Sequence, residues 1–288
     1  IWGHPEVYIL ILPAFGVTIR ELEHLTSAGC TLVDTTCGSV LNVWKNVRQY
    51  ARDGYTAVIH GKVKHEETQA TASQARVTDN GRYLIVLDRT EAELLCDYIT
   101  EKEPLDTFQS HFHGACSTDF DPRQDLTRVG LANQTTMLMS ESLEIGHLIR
   151  RAMITRYGEP AIHEHFQAFD TICSATQDRQ DAIQSLLDKA SLDLAIIVGG
   201  YNSSNTRNLA KICARKVATF HIAEPSCLTS ALELRHLPPT TTPGTIVERV
   251  ERNWLPDTGI LSIGVSAGAS TPDNIVGEVI FRLAELAK

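Results

Sequence analysis

Long hydrophobic runs and a positive net charge are both absent from this sequence. The longest apolar run, VYILILPAF (7–15), is interrupted by Pro13. It is well short of the roughly 18–20 residues that span a bilayer. We therefore expect no membrane association and interpret this run as a buried strand. The net charge of -9 argues against a nucleic-acid-binding face, although backbone amides at a helix start can still bind a small anion.

Cysteine is sparse and scattered. The chain has seven cysteines, an odd number without regular spacing, which excludes a disulfide scaffold and predicts a reducing compartment. A signal peptide and an Arg/Ser-rich transit segment are also missing from the first residues. The sequence opens at Ile1 and enters a strand almost at once, so we expect this chain to be a fragment.

Short apolar strands alternate with amphipathic helical patterns along the 288 residues. That length is enough for two or three small α/β units. Continuous apolar strands separated by helices predict mainly parallel sheets. The predicted helices are 140–157, 177–190, 205–215 and 273–287, and the predicted strands are 7–12, 31–34, 56–60, 83–87, 129–132, 194–199, 218–222 and 261–265.

Three strand ends run into loops rich in Gly, Ser or charged residues, namely IHGKVKHEET, VGGYNSSNT and GVSAGASTPD. Open α/β sheets bind ligands at the carboxyl ends of their strands. Ser203, Ser204 and Asn205 are good helix caps, and ordinary capping explains this segment taken alone. Ser270 stands in a similar context, and the two segments together leave an anion site at helix starts and plain capping as equally open interpretations.

Two cysteines share one context, DTTCGS at Cys37 and DTICSA at Cys173. Each follows Asp-Thr-x and precedes a predicted helix, whose dipole favours the thiolate form that binds zinc or iron–sulfur clusters. A buried structural cysteine is the alternative interpretation of each. A separate metal site formed by His111, His113 and Cys116 also stays open.

The KHEET segment places His65 and Glu67 where a strand-end loop becomes a helix. A histidine there can bind an anion and a carboxylate can pass a proton, but acidic residues also complement a helix dipole without further function. NQTTM (133–137) adds an amide and two hydroxyls after another strand, and its alternative interpretation is an ordinary loop.

Several of these motifs, in this order, resemble the 4-hydroxy-3-methylbut-2-enyl diphosphate reductases of the LytB family in their cyanobacterial and plastid version. The resemblance runs from about Pro13 to the C-terminus. The motifs that carry it are DTTC, IHGKVKHEETQATAS, LANQTTML, TICSATQDRQDA, IVGGYNSSNT, NWLP and SAGASTPD.

The resemblance implies a trefoil-like arrangement of three small α/β units with mainly parallel sheets around a central site. It implies a [4Fe–4S] cluster held by three cysteines, with one iron open to the substrate's hydroxyl. The implied reaction removes that hydroxyl as water and gives isopentenyl and dimethylallyl diphosphates, the last step of the non-mevalonate isoprenoid pathway. Ferredoxin or flavodoxin would supply the electrons. A bacterial member would be cytoplasmic, and one from a photosynthetic eukaryote would lie in the plastid stroma.

Carried over position by position, the resemblance gives each candidate residue a role. Cys37 and Cys173 match two cluster ligands, Glu67 matches the acid that delivers protons, and Thr135 matches the threonine that orients the hydroxyl end. The substrate-binding matches are His65, Gln134, Thr176, Ser203, Ser204, Asn205 and Ser270.

Three departures from the family pattern stand out. The first cluster cysteine and a diphosphate-binding histidine belong to a segment upstream of anything here, which predicts N-terminal truncation and an incomplete first unit. Gly38 stands where the family usually has proline after DTTC, and Phe15 replaces a histidine of many bacterial members, as in the plastid and cyanobacterial version. The expected division is a remnant of the first unit (1–36), a second unit (37–172) with an insertion near 101–128, a third unit (173–271) and a C-terminal helix (272–288).

Two other functions remain as alternatives. A non-catalytic, diphosphate-binding paralogue would account for the missing ligand and for Gly38. The second alternative is a phosphate-sugar or nucleotide enzyme on a doubly wound sheet. The sequence contains no G-x-G-x-x-G or P-loop stretch to support it.

Overall fold

The computed structural model describes residues 8–169, 173–241, 246–256 and 259–287. The chain divides into two compact units, residues 1–172 (unit 1) and residues 173–288 (unit 2). The finer division into 1–36, 37–172, 173–271 and 272–288 stays a prediction.

Unit 1 contains two parallel sheets. Its strands are β1 Ile9–Leu12, β2 Thr31–Asp34, β3 Thr56–His60, β4 Tyr83–Val86, β5 Val129–Asn133 and β6 Phe166–Ala168. β1 pairs with β2 alone, and the other four form a sheet in the order β4-β3-β5-β6. Its helices are α1 Ile19–Ser27, α2 Gly38–Arg52, α3 Glu66–Ala75, α4 Arg89–Ile99, α5 Phe108–His111, α6 Pro122–Asp125, α7 Met139–Tyr157 and α8 Ile162–His165.

The core of unit 1 lies around β3 and β5. Every residue of these two strands is buried, as expected where helices cover both faces of a parallel sheet. Helix α2 packs with α3, and α4 packs with α7. The predicted irregular segment 101–128 contains a 3-10 turn and the short helices α5 and α6, and its Phe108, Phe112 and Phe120 join this core.

The expectation of a buried strand in the run 7–15 is wrong. Ile9 and Ile11 of β1 are 66% and 72% exposed, and Val33, which pairs with Ile11, is 43% exposed. Because β1 pairs only with β2 and no described element covers this face, the apolar residues on it remain in contact with solvent. Hydrophobic continuity alone therefore did not decide burial here.

Unit 2 contains the strands β7 Leu194–Val198, β8 Ala218–Ile222, β9 Glu233–His236, β10 Arg249–Arg252 and β11 Ile263–Ala267. Three of them form a parallel sheet in the order β11-β7-β8, and β9 and β10 form an antiparallel pair. Ile196 and Val198 of the central strand β7 pack with Phe220 and Trp254 on one face. Ala195 and Ile197 pack with Ile183 and Leu209 on the other face. The helices of unit 2 are α9 Ser174–Lys189, α10 Ser204–Ala214 and α11 Asp273–Leu286.

The sequence pattern predicted most of these elements. Strands β2, β3 and β8 lie at the predicted residues, while β6, β9 and β10 were not predicted. β6 is short, and β10 is exposed along its whole length, so neither shows a strong apolar pattern. None of the helices that the structure describes is long and apolar enough to cross a membrane.

Candidate active site

Glu67, in the first turn of α3, and Thr135, in the loop after β5, lie at the same edge of the unit 1 sheet. The segments that contain them follow β3 and β5, which are neighbouring parallel strands, so the carboxyl ends of these strands lie side by side. The backbone N–H of Thr135 donates to Oε1 of Glu67 at 2.6 Å. Glu67 is 3% exposed. Burial raises the pKa of this carboxyl above its ordinary value, although hydrogen bonds from the backbone and side chain of Thr135 oppose that rise.

Gln134 ties the same two loops together. Its Oε1 accepts from the backbone N–H of Lys62 and from the hydroxyl of Thr68, each at 3.1 Å. Its Nε2 donates to Thr136 at 2.8 Å. Gly61 permits this approach, because a Cβ there would lie 2.8 Å from the Thr68 hydroxyl and 3.0 Å from Cβ of Gln134. The side chain of Gln134 therefore links the start of α3, which carries Glu67, to the loop that carries Thr135.

His65 is the N-cap of α3. Its Nδ1 accepts from the backbone N–H of Glu67 at 3.2 Å. Partial burial lowers its pKa, with the nearby Glu66 acting in the opposite direction. An imidazole that accepts at Nδ1 has Nε2 left to donate to an anion.

Cys37 stands at the start of α2, after strand β2. Its backbone N–H donates to the carbonyl of Ala14 at 2.8 Å, and the residue after Ala14, Phe15, lies edge-on against His65 with ring centroids 6.4 Å apart. One loop therefore contacts both Cys37 and His65. The Cys37 side chain is exposed and makes no capping hydrogen bond. Unit 1 thus brings Cys37, His65, Glu67 and Thr135 to one region.

Cys173 occupies the same position at a helix start in unit 2 as Cys37 does in unit 1. It is the N-cap of α9, with φ -66° and ψ 130° against φ -62° and ψ 141° for Cys37. Its carbonyl accepts from the backbone N–H of Thr176 at 2.9 Å, and Thr176 is buried in the first turn. Neither thiol is in a disulfide. Both cysteines stand at helix N-termini, and cysteine sulfur is the donor type that holds an iron–sulfur cluster.

The two segments of the predicted anion site, around Ser203 and around Ser270, lie at the carboxyl edge of the unit 2 sheet. Ser203 caps α10 by accepting from the backbone N–H of Thr206 at 3.2 Å. Ser204 and Asn205 are buried in the first turn, and Ser270 is exposed in the loop after the neighbouring strand β11. The structure therefore brings these two loops to the same edge.

Asn205 has an unusual environment. It is 3% exposed, yet neither Oδ1 nor Nδ2 has a hydrogen-bond partner among the residues that the structure describes. A buried amide without partners costs roughly 1–3 kcal/mol. Such a group at a helix start, where backbone N–H groups also point outward, is suited to a ligand that supplies the missing bonds.

Thr206 and His221 were missed by sequence reasoning. Thr206 is fully buried, and its hydroxyl has no partner among the described residues. A Cβ at Gly268 would lie 2.1 Å from that hydroxyl, so only glycine lets the two loops meet. His221 Nε2 lies 2.9 Å from the Gly199 carbonyl, and burial lowers its pKa to about 4. The NSSNT motif already contained Thr206, but nothing in sequence placed His221 near it.

The alternative metal site at His111, His113 and Cys116 is not supported. Nδ1 of His111 lies 2.6 Å from the Tyr98 hydroxyl. Across the described ranges, no three His, Cys, Asp or Glu residues are grouped as metal ligands. The aromatic packing of 101–128 accounts for that segment instead.

Comparisons with known proteins decide the family. A sequence profile of the LytB protein family matches residues 4–284. The chain belongs to the LytB family. A 4-hydroxy-3-methylbut-2-enyl diphosphate reductase from Synechococcus sp. (strain RCC307) is 48% identical over 281 residues, which are 97% of this chain and 66% of that relative. The sequence resemblance and its cyanobacterial character are thereby confirmed. The chain spans about two thirds of that relative's length.

Solved structures agree with this family. One is a structure of (E)-4-hydroxy-3-methyl-but-2-enyl diphosphate reductase, the terminal enzyme of the non-mevalonate pathway. The two chains are 26% identical and superpose with a TM-score of 0.52, and the match covers 99% of this chain and 79% of the other. The other is a reductase structure from Plasmodium falciparum, and its match covers 97% of this chain and 68% of the other. At 21% identity and a TM-score of 0.62, it shares the fold. The predicted α/β class with mainly parallel sheets is confirmed.

Proposed function

We propose that this LytB-family chain performs the reaction named by its relatives, the reductive dehydroxylation of 4-hydroxy-3-methylbut-2-enyl diphosphate. In this reaction the C–O bond breaks, two electrons enter, one proton leaves with the hydroxyl as water and a second is added to carbon. The products are isopentenyl and dimethylallyl diphosphates. The observation that carries the proposal is the buried Glu67 carboxyl, hydrogen-bonded to Thr135 beside His65.

Glu67 is the proposed proton donor. Its burial favours the neutral acid, which can give a proton in a way that an ionised carboxylate cannot. The N–H of Thr135 fixes one oxygen of the carboxyl at 2.6 Å. The Thr135 hydroxyl is the proposed group that orients the substrate's hydroxyl end and relays protons.

The diphosphate is the proposed ligand of the neutral donors. His65 supports this role with an Nε2 that can donate, and Asn205 supports it with a buried amide that has no partner among the described residues. Ser203, Ser204, Ser270 and Thr176 complete the proposed set. Neutral hydroxyl and amide donors together with a helix dipole explain how a chain of net charge -9 can take a multiply charged anion.

Cys37 and Cys173 are the proposed ligands of a [4Fe–4S] cluster. When bound, such a cluster would supply Lewis acidity toward the leaving hydroxyl and would pass electrons singly. The resemblance implies a third thiolate from an upstream segment, and ferredoxin or flavodoxin as the electron donor. Retention of the Glu67–Thr135 pair argues against the non-catalytic paralogue, which would have no use for a proton donor.

Anaerobic reconstitution with iron and sulfide tests the ligand assignment. It is applied to this chain and to a version extended to the length of its relatives. We expect Cys37→Ser and Cys173→Ser to lower bound iron per chain and the visible charge-transfer absorbance of the extended protein. Cys30→Ser is the matched control, since Cys30 is also a non-disulfide cysteine in unit 1. Equal iron content in the Cys37→Ser and Cys30→Ser variants would show that Cys37 is not a ligand.

A further inference from the structure

Helix α2 is strongly basic in a chain whose net charge is -9. Its sequence, GSVLNVWKNVRQYAR, contains Lys45, Arg48 and Arg52 and no acidic residue. The opposite charge balance holds in α4, where Arg89 stands beside Glu91, Glu93 and Asp97. The positive charge on α2 is therefore a local feature of this helix.

The packing of α2 determines which of its residues face solvent. Val43, Val47 and Tyr50 join the unit 1 core. Val40 and Trp44 face α3, and the indole N–H of Trp44 donates to Thr71 at 3.2 Å. Four exposed residues of α2 follow helical spacing and form one stripe along the helix, which we name the α2 stripe: Leu41, Lys45, Gln49 and Arg52.

The charges of the α2 stripe are not neutralised by neighbouring acids. None of the ion pairs between described residues involves Lys45 or Arg52. Asp53, just after the helix, accepts from Nε2 of Gln49 at 2.9 Å. Asp34 lines the same cavity as Arg52, but its Oδ1 accepts from the backbone and side chain of Thr36. Leu41 adds an apolar side chain that is 46% exposed.

The stripe leads away from the proposed cluster ligand. Cys37 is the N-cap of the same helix, and its carbonyl accepts from the N–H of Leu41 at 3.0 Å. At a rise of 1.5 Å per residue, Lys45 lies roughly 12 Å along the axis from Cys37. A protein that contacts Leu41 and Lys45 would thus lie within roughly 12 Å of Cys37 along the helix axis.

We propose that the α2 stripe is the docking surface for an acidic protein that donates electrons one at a time. This inference rests on the proposed function, because the dehydroxylation consumes two electrons. An acidic donor would be repelled by most of a chain of net charge -9 and attracted to this stripe, so the local field would orient it with Cys37 nearby. Leu41 would supply an apolar contact within the charged rim.

A comparison of two electron sources tests the docking surface. The reconstituted protein, extended to the length of its relatives, is assayed with a reduced plant-type ferredoxin, which is acidic, and separately with reduced methyl viologen, a small cation that needs no docking surface. We expect the double variant Lys45→Glu/Arg52→Glu to raise KM for ferredoxin about tenfold or more. Turnover driven by viologen should stay unchanged. The wild-type KM for ferredoxin should rise with salt, and this dependence should be weaker in the variant.

A matched control separates local from overall charge. Lys211→Glu/Arg215→Glu makes the same change in charge at exposed positions at the C-terminal end of α10 in unit 2. An equal rise in KM for ferredoxin in both double variants would overturn the α2 assignment. Viologen turnover without any turnover from ferredoxin in the wild type would also overturn it, while the absence of turnover from both sources would count against the proposed function instead.

Carbodiimide cross-linking gives a readout that does not depend on activity. The Lys45 amine should link to a carboxylate of the ferredoxin, and mass spectrometry should find this link in the wild type. Lys45→Gln should lose that link without reversing the local charge. Links from Lys45 to a second copy of this chain in place of the ferredoxin would contradict the proposal and make the stripe a self-association surface.

Discussion

The two sheet edges that carry the candidate residues differ in how their polar groups are satisfied. At the unit 1 edge, Glu67 accepts from Thr135, and Gln134 makes hydrogen bonds through both its oxygen and its nitrogen. At the unit 2 edge, the buried amide of Asn205 and the hydroxyl of Thr206 have no partners within the described part of the chain. At both edges, parallel strands end in short segments that lead into helices. The fold alone therefore does not explain the difference.

The difference follows from what each edge is proposed to do. A proton donor needs a fixed position and a controlled pKa, which hydrogen bonds such as the one from Thr135 to Glu67 provide. An anion receptor needs donors that are still open when the ligand arrives, and the folded chain then bears the cost of leaving them unpaired. The comparison therefore predicts opposite responses to substitution at the two edges.

Glu67→Gln should have the largest effect. The introduced side-chain amide can still accept from the Thr135 N–H, but it has no carboxyl proton to give. We expect kcat to fall on the order of a thousandfold, with KM changed little. Steady-state kinetics with a viologen reductant measures both constants. Glu66→Gln, at the exposed neighbouring position in the same helical turn, is the control and should keep wild-type activity.

The pH profile sharpens this test. Because burial holds the folded pKa of Glu67 above its ordinary value of 4.5, its stabilising contribution is complete below 4.5 and is lost as pH rises through the folded pKa. If the reaction needs the neutral acid, kcat should also fall as pH rises through the folded pKa of Glu67. Glu67→Gln should remove both pH dependences, and a limb that persists in this variant would assign the proton to another group.

Leucine at the two amide positions should change stability in opposite directions. Gln134→Leu leaves the Lys62 N–H and the Thr68 hydroxyl without their acceptor, so we expect a loss of about 3 kcal/mol in the free energy of unfolding. Asn205→Leu removes an amide that has no partner among the described residues, so we expect a gain of about 1 kcal/mol and a KM raised roughly tenfold or more. Urea denaturation and substrate titration measure the two effects. Destabilisation by Asn205→Leu would mean that this amide serves the folded chain itself.

Sequence reasoning identified the strand ends but not the state of their polar groups. Apolar runs such as TAVIH indicated the sheet, and they placed Glu67 and Thr135 each just after the carboxyl end of a strand, where ligands of parallel sheets bind. Whether Asn205 is paired depends on contacts between residues far apart in sequence, which no local pattern encodes. The same limit explains the error at Ile9 and Ile11, whose exposure depends on what covers β1.

The smallest expected effect is on the free energy of unfolding, when proline is placed at the first residue of α2 and of α9. Cys37 and Cys173 have nearly the same extended backbone, which is the conformation favoured before proline. Gly38 is the first helical residue, and a Cβ there would meet nothing within 4 Å. We therefore expect Gly38→Pro to raise the free energy of unfolding by about 1 kcal/mol, because proline suits this position and restricts the unfolded chain.

Ser174→Pro is the matched substitution at the start of α9. It should give a smaller gain, because serine has less freedom than glycine to lose in the unfolded chain. Urea denaturation of the two variants measures the difference. If Gly38→Pro destabilises while Ser174→Pro does not, the two helix starts differ in conformation despite their similar caps. Gly38 would then be retained for a backbone freedom near Cys37 that the start of α9 does not need.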